Sequence, residues 1–152
     1  MVNLEWCKNQ KNGIKFIEPN DNLSKQYLKN AEETLLDLKE NKESNLWRAT
    51  KKYYFEYFII YSFLMKVGVK CEIHDCTIEL IKEIERLSFL PKETYKKIKK
   101  DKEIRIDNQY YLKDKEVNLN YSELFKFFLE MKSRINFLTK EEVKKIRYEL
   151  KK

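Results

Sequence analysis

Glycine and proline are scarce in this chain, with two residues of each among 152. Tight turns depend on glycine, asparagine and proline, and a fold of many short strands needs such turns at short intervals. Gly13 and Gly68 stand alone, so the chain has no glycine-rich loop to hold a phosphate. The scarcity indicates a mainly helical protein and excludes P-loop and dinucleotide-binding folds.

Cysteine and histidine are also few, with three cysteines and a single histidine. An odd number of unevenly spaced cysteines does not indicate a disulfide framework. We therefore expect small, half-buried thiols and a cytoplasmic protein. Cys7, Cys71, His74 and Cys76 could together supply four zinc ligands, but their spacing lacks the usual Cys-x-x-Cys pair. We predict no metal and no other cofactor.

No hydrophobic run in the sequence is long enough to cross a membrane. The longest runs from Tyr53 to Met65, covers 13 residues and contains Glu56, whereas a membrane span needs about 20 apolar residues. The first residues also lack the basic and apolar regions of a signal peptide. The run therefore predicts a core helix, and we expect no membrane association.

The most informative segment that is present runs from Trp47 to Val67. Aromatic and aliphatic residues occur on nearly every side of the helix that this segment predicts. A helix that is apolar all round belongs at the centre of a bundle. Gly68 stops it, and His74 follows six residues later, so we look for chemistry at this end.

Capping residues and apolar spacing divide the chain into five or six helices. Residues 1–19 are irregular or contain a short helix. The later helices begin at Asn20 to Asn22, at Ser44 or Asn45, at Asp75 to Thr77, at Pro91, near Tyr121 and after the capping box Thr139–Glu142. Short connections between long helices indicate antiparallel neighbours. We predict an all-α, up-and-down antiparallel helical bundle, a single domain over residues 1–152 with its core at about 21–140.

The net charge of +7 is unevenly distributed along the chain. Residues 1–90 hold 14 basic and 14 acidic side chains, and residues 91–152 hold 18 basic and 11 acidic ones. Such asymmetry favours a polyanionic partner such as RNA, DNA or a nucleotide. Solvated, lysine-rich helix faces are the alternative, since only five of the 32 basic residues are arginine.

Two further segments have a recognisable pattern. The central helix ends in Leu-Met-Lys-Val-Gly and is followed by Val-Lys-Cys-Glu-Ile-His-Asp-Cys-Thr-Ile, and Ile-Arg-Ile-Asp-Asn-Gln-Tyr-Tyr lies downstream. With this pattern the chain, from roughly Leu23 to Leu138, resembles the HEPN superfamily, and in particular its small, stand-alone, archaeal-type members. The resemblance implies a helical bundle that dimerises and binds nucleotides or RNA. Members are often metal-independent ribonucleases or toxins paired with a minimal nucleotidyltransferase antitoxin.

The ribonuclease signature of that family is an arginine four to six residues before a histidine, and this chain departs from it. Lys70 stands four residues before His74, and a lysine cannot bind a phosphate in the forked manner of arginine. Arg105 can replace the missing group if its helix lies beside His74. His74 would then remove the 2′-hydroxyl proton while Arg105 stabilises the phosphate charge. The matching segments add Lys70, Glu72, Asp75, Asp107, Tyr110 and Tyr111 as predicted ligand-binding residues.

Two interpretations remain open at this stage. The chain is either a weak ribonuclease or toxin-like partner of a nucleotidyltransferase, or a non-catalytic dimer that binds a nucleotide or a protein. In both, we expect a homodimer with the two His74 segments near the two-fold axis. His74 as a simple capping residue is the alternative to a catalytic role, and Tyr53, Tyr54, Tyr57 and Tyr61 are expected to serve packing and dimer contacts.

Overall fold

A computed structural model describes all 152 residues as seven helices and one short two-stranded sheet. In chain order the elements are α1 (Leu4–Asn9), β1 (Lys15–Phe16), α2 (Asp21–Glu40), α3 (Asn45–Val67), β2 (Val69–Lys70), α4 (His74–Arg86), α5 (Thr94–Gln109), α6 (Tyr121–Asn136) and α7 (Lys140–Lys151). The all-α prediction is confirmed. None of the helices combines the length and the apolar character that crossing a bilayer requires.

Helix α3 lies at the centre, as its composition predicts. Thirteen of its residues are buried, among them Tyr53, Phe55 and Phe63, each with no exposed surface. Helix α2 makes the most extensive contact with α3, and α5 comes second, ahead of α6. The apolar stripes of α2 and α6 predict their contacts with α3, but they give no sign of the larger role of α5.

The buried face of α5 is largely polar, which explains why apolar spacing does not reveal it. Ile98, Asp101, Arg105 and Asn108 are buried at intervals of three or four residues, and only the first is apolar. Such intervals place side chains on one face of a helix. Each buried polar residue then needs a partner on a neighbouring element, so α5 determines most of the polar chemistry of the interior.

Four helix starts predicted from the sequence are confirmed, among them that of α6 at Tyr121, and two are wrong. Asn20, Ser44 and Thr139 are the N-caps of α2, α3 and α7, and Thr139 forms the predicted capping box with Glu142. Helix α4 begins at His74 itself, because the Thr77 amide already donates to the Ile73 carbonyl. Helix α5 begins at Thr94 and not at Pro91, since Thr94 folds back onto the Pro91 carbonyl in a separate turn.

The sheet of β1 and β2 was not predicted, because each strand has only two residues. The strands pair antiparallel, Lys15 with Lys70 and Phe16 with Val69. Between α3 and β2, Gly68 adopts a φ of 79°, and a Cβ there would clash with Nη1 of Arg147 and with the backbone carbonyl of Ile17. That Arg147 nitrogen donates to the carbonyls of Ile17, Val67 and Gly68. Glycine therefore permits the tight reversal that leads from α3 to His74.

A disulfide joins Cys7 on α1 to Cys76 in the first turn of α4. The expectation of three unpaired thiols is therefore wrong; only Cys71 is free, and it is buried. The two partners are 69 residues apart in sequence, and only the packing of α1 on α4 brings them together. Because disulfides persist mainly in oxidising surroundings, the cysteines no longer support a cytoplasmic location.

The hydrophobic core extends beyond the predicted limits of about 21–140. Cys7 and Ile14 belong to it at one end of the chain, and Ile146 and Leu150 at the other. Helices α1 and α7 therefore contribute to the same core as the central helices.

Candidate functional site

The first residue of α4, His74, lies against the aromatic surface of α3. Its ring stacks on that of Tyr57, with 4.4 Å between the ring centroids and an angle of 17° between the planes. Its Nδ1 lies 3.1 Å from the hydroxyl oxygen of Tyr53. The ring is only half-buried. Stacking and the hydrogen bond thus fix the imidazole while part of it stays accessible.

Arg105 comes to the same aromatic residues from α5. Its Cζ lies 4.9 Å from the centroid of the Tyr53 ring and 5.6 Å from that of the Tyr54 ring. Cation–π contacts of this kind contribute about 2 kcal/mol when the charge is desolvated. His74 and Arg105 therefore meet at Tyr53, which is the convergence that the sequence interpretation requires.

Arg105 is nearly buried, with 8% of its surface exposed, yet no carboxylate pairs with it. Its Nη1 donates to Oε1 of Gln109 at 3.2 Å, and its Nε has no partner. Buried charges are normally paired. The Arg105 guanidinium is therefore a buried positive charge that no carboxylate of the chain neutralises.

Lys102 adds a second positive charge beside His74. It forms an ion pair with the exposed carboxylate of Asp75, the residue after His74. Burial lowers the pKa of His74, and the charges of Arg105 and Lys102 lower it further. The imidazole is consequently neutral at pH 7. We call Tyr53, Tyr54, His74, Lys102 and Arg105 the His74–Arg105 cluster.

The position of the proton on neutral His74 follows from Tyr53. The Tyr53 side chain is fully buried, and the imidazole is the one partner of its hydroxyl. Burial also raises the pKa of Tyr53, so the hydroxyl keeps its proton. A buried donor left without an acceptor costs about 1–3 kcal/mol. We therefore assign the hydrogen bond as Tyr53 O–H to Nδ1, which leaves the hydrogen of the ring on Nε2.

This tautomer determines what the histidine can do. A ring nitrogen that carries hydrogen is a donor and cannot accept a proton. Nε2 of His74 is thus suited to donate to an anion such as a phosphate oxygen. It is poorly suited to act as the general base that a ribonuclease mechanism requires.

The other predicted ligand-binding residues do not join this cluster. Lys70 and Glu72 are exposed and pair with each other at 3.3 Å. Asp107 pairs with Lys113 at 3.4 Å and with Lys115 at 2.6 Å, and the hydrogen bond from Lys115 is the main reason that its pKa is lowered. Tyr110 and Tyr111 lie exposed just beyond the end of α5. Of the predicted residues, the structure brings together His74, Arg105 and, through Lys102, Asp75.

The sequence analysis assigned the tyrosines to packing and dimer contacts, and it missed Lys102 and Gln109. The signals were present, because Tyr53, Tyr54 and Tyr57 recur at helical intervals on α3 and Lys102 precedes Arg105 by one turn. Residues three or four apart share a helix face. What the sequence lacked was the orientation of α5 against α3.

The structure does not bring together side chains that could coordinate a metal ion. Two of the four residues considered as zinc ligands, Cys7 and Cys76, are joined in the disulfide. No group of three or more histidine, cysteine, aspartate or glutamate side chains has an arrangement that could hold a metal ion. Cys7, Cys71, His74 and Cys76 therefore do not form the zinc site that the sequence offered as an alternative.

Comparisons of the chain with protein-family models, curated proteins and solved structures gave no significant match. The functional interpretation consequently depends on the residues and their geometry.

Proposed function

We propose that this chain is a HEPN-like protein that binds a phosphate group of RNA or of a nucleotide at the His74–Arg105 cluster, without cleaving it. The observation that carries the proposal is the buried guanidinium charge of Arg105, which has no carboxylate partner and whose Nε makes no hydrogen bond. The Nε2–H of His74 and the ammonium of Lys102 supply further donors beside it. Arginine is the side chain best suited to phosphate recognition.

The ribonuclease interpretation is the alternative, and the lowered pKa of His74 is the observation in its favour. A neutral imidazole is the form that a general base needs. With the Tyr53 hydroxyl donating to Nδ1, the ring hydrogen is on Nε2, which is the nitrogen that would have to act as the general base. We therefore favour binding over cleavage. Cleavage would require the Tyr53 hydroxyl to rotate away from Nδ1.

Binding can be measured as the fluorescence anisotropy of labelled single-stranded RNA and of a labelled nucleotide. We expect wild-type binding that weakens with salt, and a loss of about 10- to 100-fold in affinity for Arg105→Gln, since hydrogen bonds to charged groups contribute about 1.5–3 kcal/mol. Arg86→Gln is the matched control, because Arg86 is exposed and pairs with Glu83 within its own helix. Equal affinity of Arg105→Gln and wild type would contradict the proposal.

The same RNA, incubated with the protein and a chelator, separates binding from cleavage. We expect it to remain intact. Products with 2′,3′-cyclic phosphate ends that disappear in His74→Ala would instead establish the ribonuclease alternative.

We further propose a homodimer that forms through the groove between α2 and α3. Exposed or half-exposed Trp47, Tyr54 and Phe58 line this groove together with Asn30 and Thr34. Tyr54 also belongs to the His74–Arg105 cluster, so a two-fold contact at the groove would bring both His74 segments near the axis. Identical cationic groups would then face one shared ligand.

The resemblance to HEPN proteins also suggests a minimal nucleotidyltransferase as a protein partner. Co-expression with such an enzyme, followed by purification on a tag carried by one chain alone, tests this. A stable complex supports a toxin–antitoxin pair, and separate elution contradicts it.

A further inference from the structure

A second polar site lies between α3, α5 and α6 and shares no residue with the His74–Arg105 cluster. It is a cavity of about 340 Å³, near the lower limit of the sizes found for small-molecule sites. Glu56 and Asp101 lie within it, and Ile104, Val117, Leu124 and Phe127 contribute apolar walls. We call it the Glu56 cavity.

Glu56 is the unusual residue of this cavity. It lies in the middle of the most buried helix, with 5% of its surface exposed, and its Oε1 has no hydrogen-bond partner. Buried side-chain acceptors nearly always have a donor. An unpartnered carboxyl oxygen in a cavity of this volume therefore points to a ligand that brings a donor.

The charges around Glu56 indicate what kind of donor is missing. Asp101, which is 7% exposed, is the carboxylate next to Glu56, and Lys52 pairs with it at 3.2 Å. Two buried carboxyl groups thus share one close ammonium group. A ligand with one positive charge and N–H donors would give each carboxyl group a cationic partner.

The protonation of Glu56 in the empty cavity agrees with the lack of a second cation beside the two carboxyl groups. Burial raises the pKa of Glu56 well above its ordinary value, and the charge of Asp101 and a hydrogen bond between the two carboxyl groups raise it further, while Lys52 and Lys97 oppose the shift. The raised pKa favours the neutral acid form of Glu56 when nothing is bound. The charged groups that line the cavity are Lys52 on α3, Lys97, Lys100 and Asp101 on α5, Glu116 in the following loop, and Glu123 on α6.

Metal binding does not satisfy these requirements. No third carboxylate, histidine or cysteine is arranged with Glu56 and Asp101 to complete a metal site. The apolar walls instead suit a hydrocarbon chain. With about 30 Å³ for each water-sized group, the cavity holds roughly ten non-hydrogen atoms.

From this geometry we propose that the Glu56 cavity binds a primary alkylamine, with the ammonium group between Glu56 and Asp101 and the alkyl chain along Ile104, Leu124 and Phe127. An ammonium group brings three donors, which match the free Oε1 of Glu56 and the oxygens of Asp101. Its positive charge favours the ionised form of Glu56. Binding near neutral pH is therefore coupled to the release of up to one proton from that carboxyl group.

Butylamine is a suitable probe, with 1-butanol as its uncharged counterpart of nearly equal size. Titrations followed by methyl NMR of Ile104 and Val117 should show saturable shifts with the amine and none with the alcohol. Calorimetry in two buffers of different ionisation enthalpy should show proton release at pH 7. Absence of saturable binding, or equal binding of butanol, would overturn the proposal.

Glu56→Gln removes the charge and keeps the size of the side chain, and we expect at least a tenfold loss of amine affinity. Glu18→Gln is the control for amine binding to other acidic side chains, because Glu18 is exposed and lines neither the cavity nor the α2–α3 groove, and it should bind as wild type does. If Glu56→Gln does not fold, the carboxyl ¹³C shift of Glu56 in the wild type replaces it. Butylamine should lower the pKa of that group, and an unchanged pKa would refute the proposed site.

Discussion

At the residue scale, the function of the His74–Arg105 cluster depends on one buried hydroxyl. Tyr53 has no exposed surface and no partner except Nδ1 of His74, so satisfying this donor decides which imidazole nitrogen carries the hydrogen. Nε of Arg105 and Oε1 of Glu56 are also buried without a hydrogen-bond partner, and the two binding proposals rest on these atoms. Buried polar groups are informative because leaving them unpaired is costly.

We expect neutral His74 in the free protein to carry its hydrogen on Nε2. The ¹⁵N chemical shifts of the two ring nitrogens measure the tautomer directly. In Tyr53→Phe the hydrogen bond is lost, so the ring should become a mixture of both tautomers, whereas Tyr111→Phe, an exposed control, should leave it unchanged. A wild-type ring with hydrogen on Nδ1 would contradict the assignment and favour the ribonuclease alternative.

His74 should also make folding stability depend on pH. Because the pKa of His74 is lower in the folded protein than its ordinary value of 6.5, the unfolded chain binds the proton more readily. The contribution of His74 to stability is therefore complete above about pH 6.5 and declines as the pH falls toward the folded pKa. Urea unfolding at pH 8 and pH 5.5 should show a larger loss for wild type than for His74→Gln, and equal losses would refute this.

At the element scale, α5 shows how a helix can be buried without an apolar stripe. Asp101 contacts Lys52 on α3, Arg105 contacts the tyrosines of α3, and Asn108 bonds the backbone of Asn45 and Lys115. The last interaction also fixes the loop between α5 and α6. These polar contacts fix the orientation of α5 relative to α3. Helix α5 therefore positions residues of both the His74–Arg105 cluster and the Glu56 cavity.

The disulfide between α1 and α4 should contribute to stability. Linking residues that are 69 positions apart restricts the unfolded chain, and removing such a link costs about 2–4 kcal/mol. We expect the double variant Cys7→Ser, Cys76→Ser to unfold at a correspondingly lower urea concentration. Cys71→Ala is the control, because it removes a thiol and no cross-link. Three titratable thiols in wild-type protein, denatured without reductant, would contradict the disulfide.

At the scale of the whole molecule, the central helix α3 leaves aromatic side chains uncovered at the α2–α3 groove. Helices α2, α5, α6 and α7 pack against it, but Trp47 remains 53% exposed and Tyr54 and Phe58 are only half-buried. Adjacent exposed aromatic residues of this kind are common at protein interfaces. The groove is therefore the surface on which we place the proposed dimer contact.

We expect sedimentation equilibrium to show a dimer for wild type and a monomer for Trp47→Glu, since a buried charge at a two-fold contact occurs twice. Trp47 is exposed enough for the variant to fold. Phe137→Glu is the control, because Phe137 is 79% exposed and lies outside the groove. A monomeric wild type at high micromolar concentration would contradict the dimer.

The sequence by itself determined the helical class, the central position of α3 and most helix limits. These features depend on local properties, such as capping at Ser44 and Thr139 and the apolar character of α3, which are visible in neighbouring residues. It also identified His74 and Arg105 as residues that could meet. It could not show the two-residue strands, because so short a segment has no periodicity.

Only the tertiary structure decided the partners of the polar residues. Tyr53 and His74 are 21 positions apart, Lys52 and Asp101 are 49 apart, and Cys7 and Cys76 are 69 apart. Nothing in the local sequence around either member fixes such a pairing, since it depends on how the helices pack. The same packing leaves Lys70 and Asp107 outside the cluster, where they form ion pairs with other residues. Hydrogen bonds and ion pairs act only at short range, so the partner of a polar residue depends on its position in the folded chain.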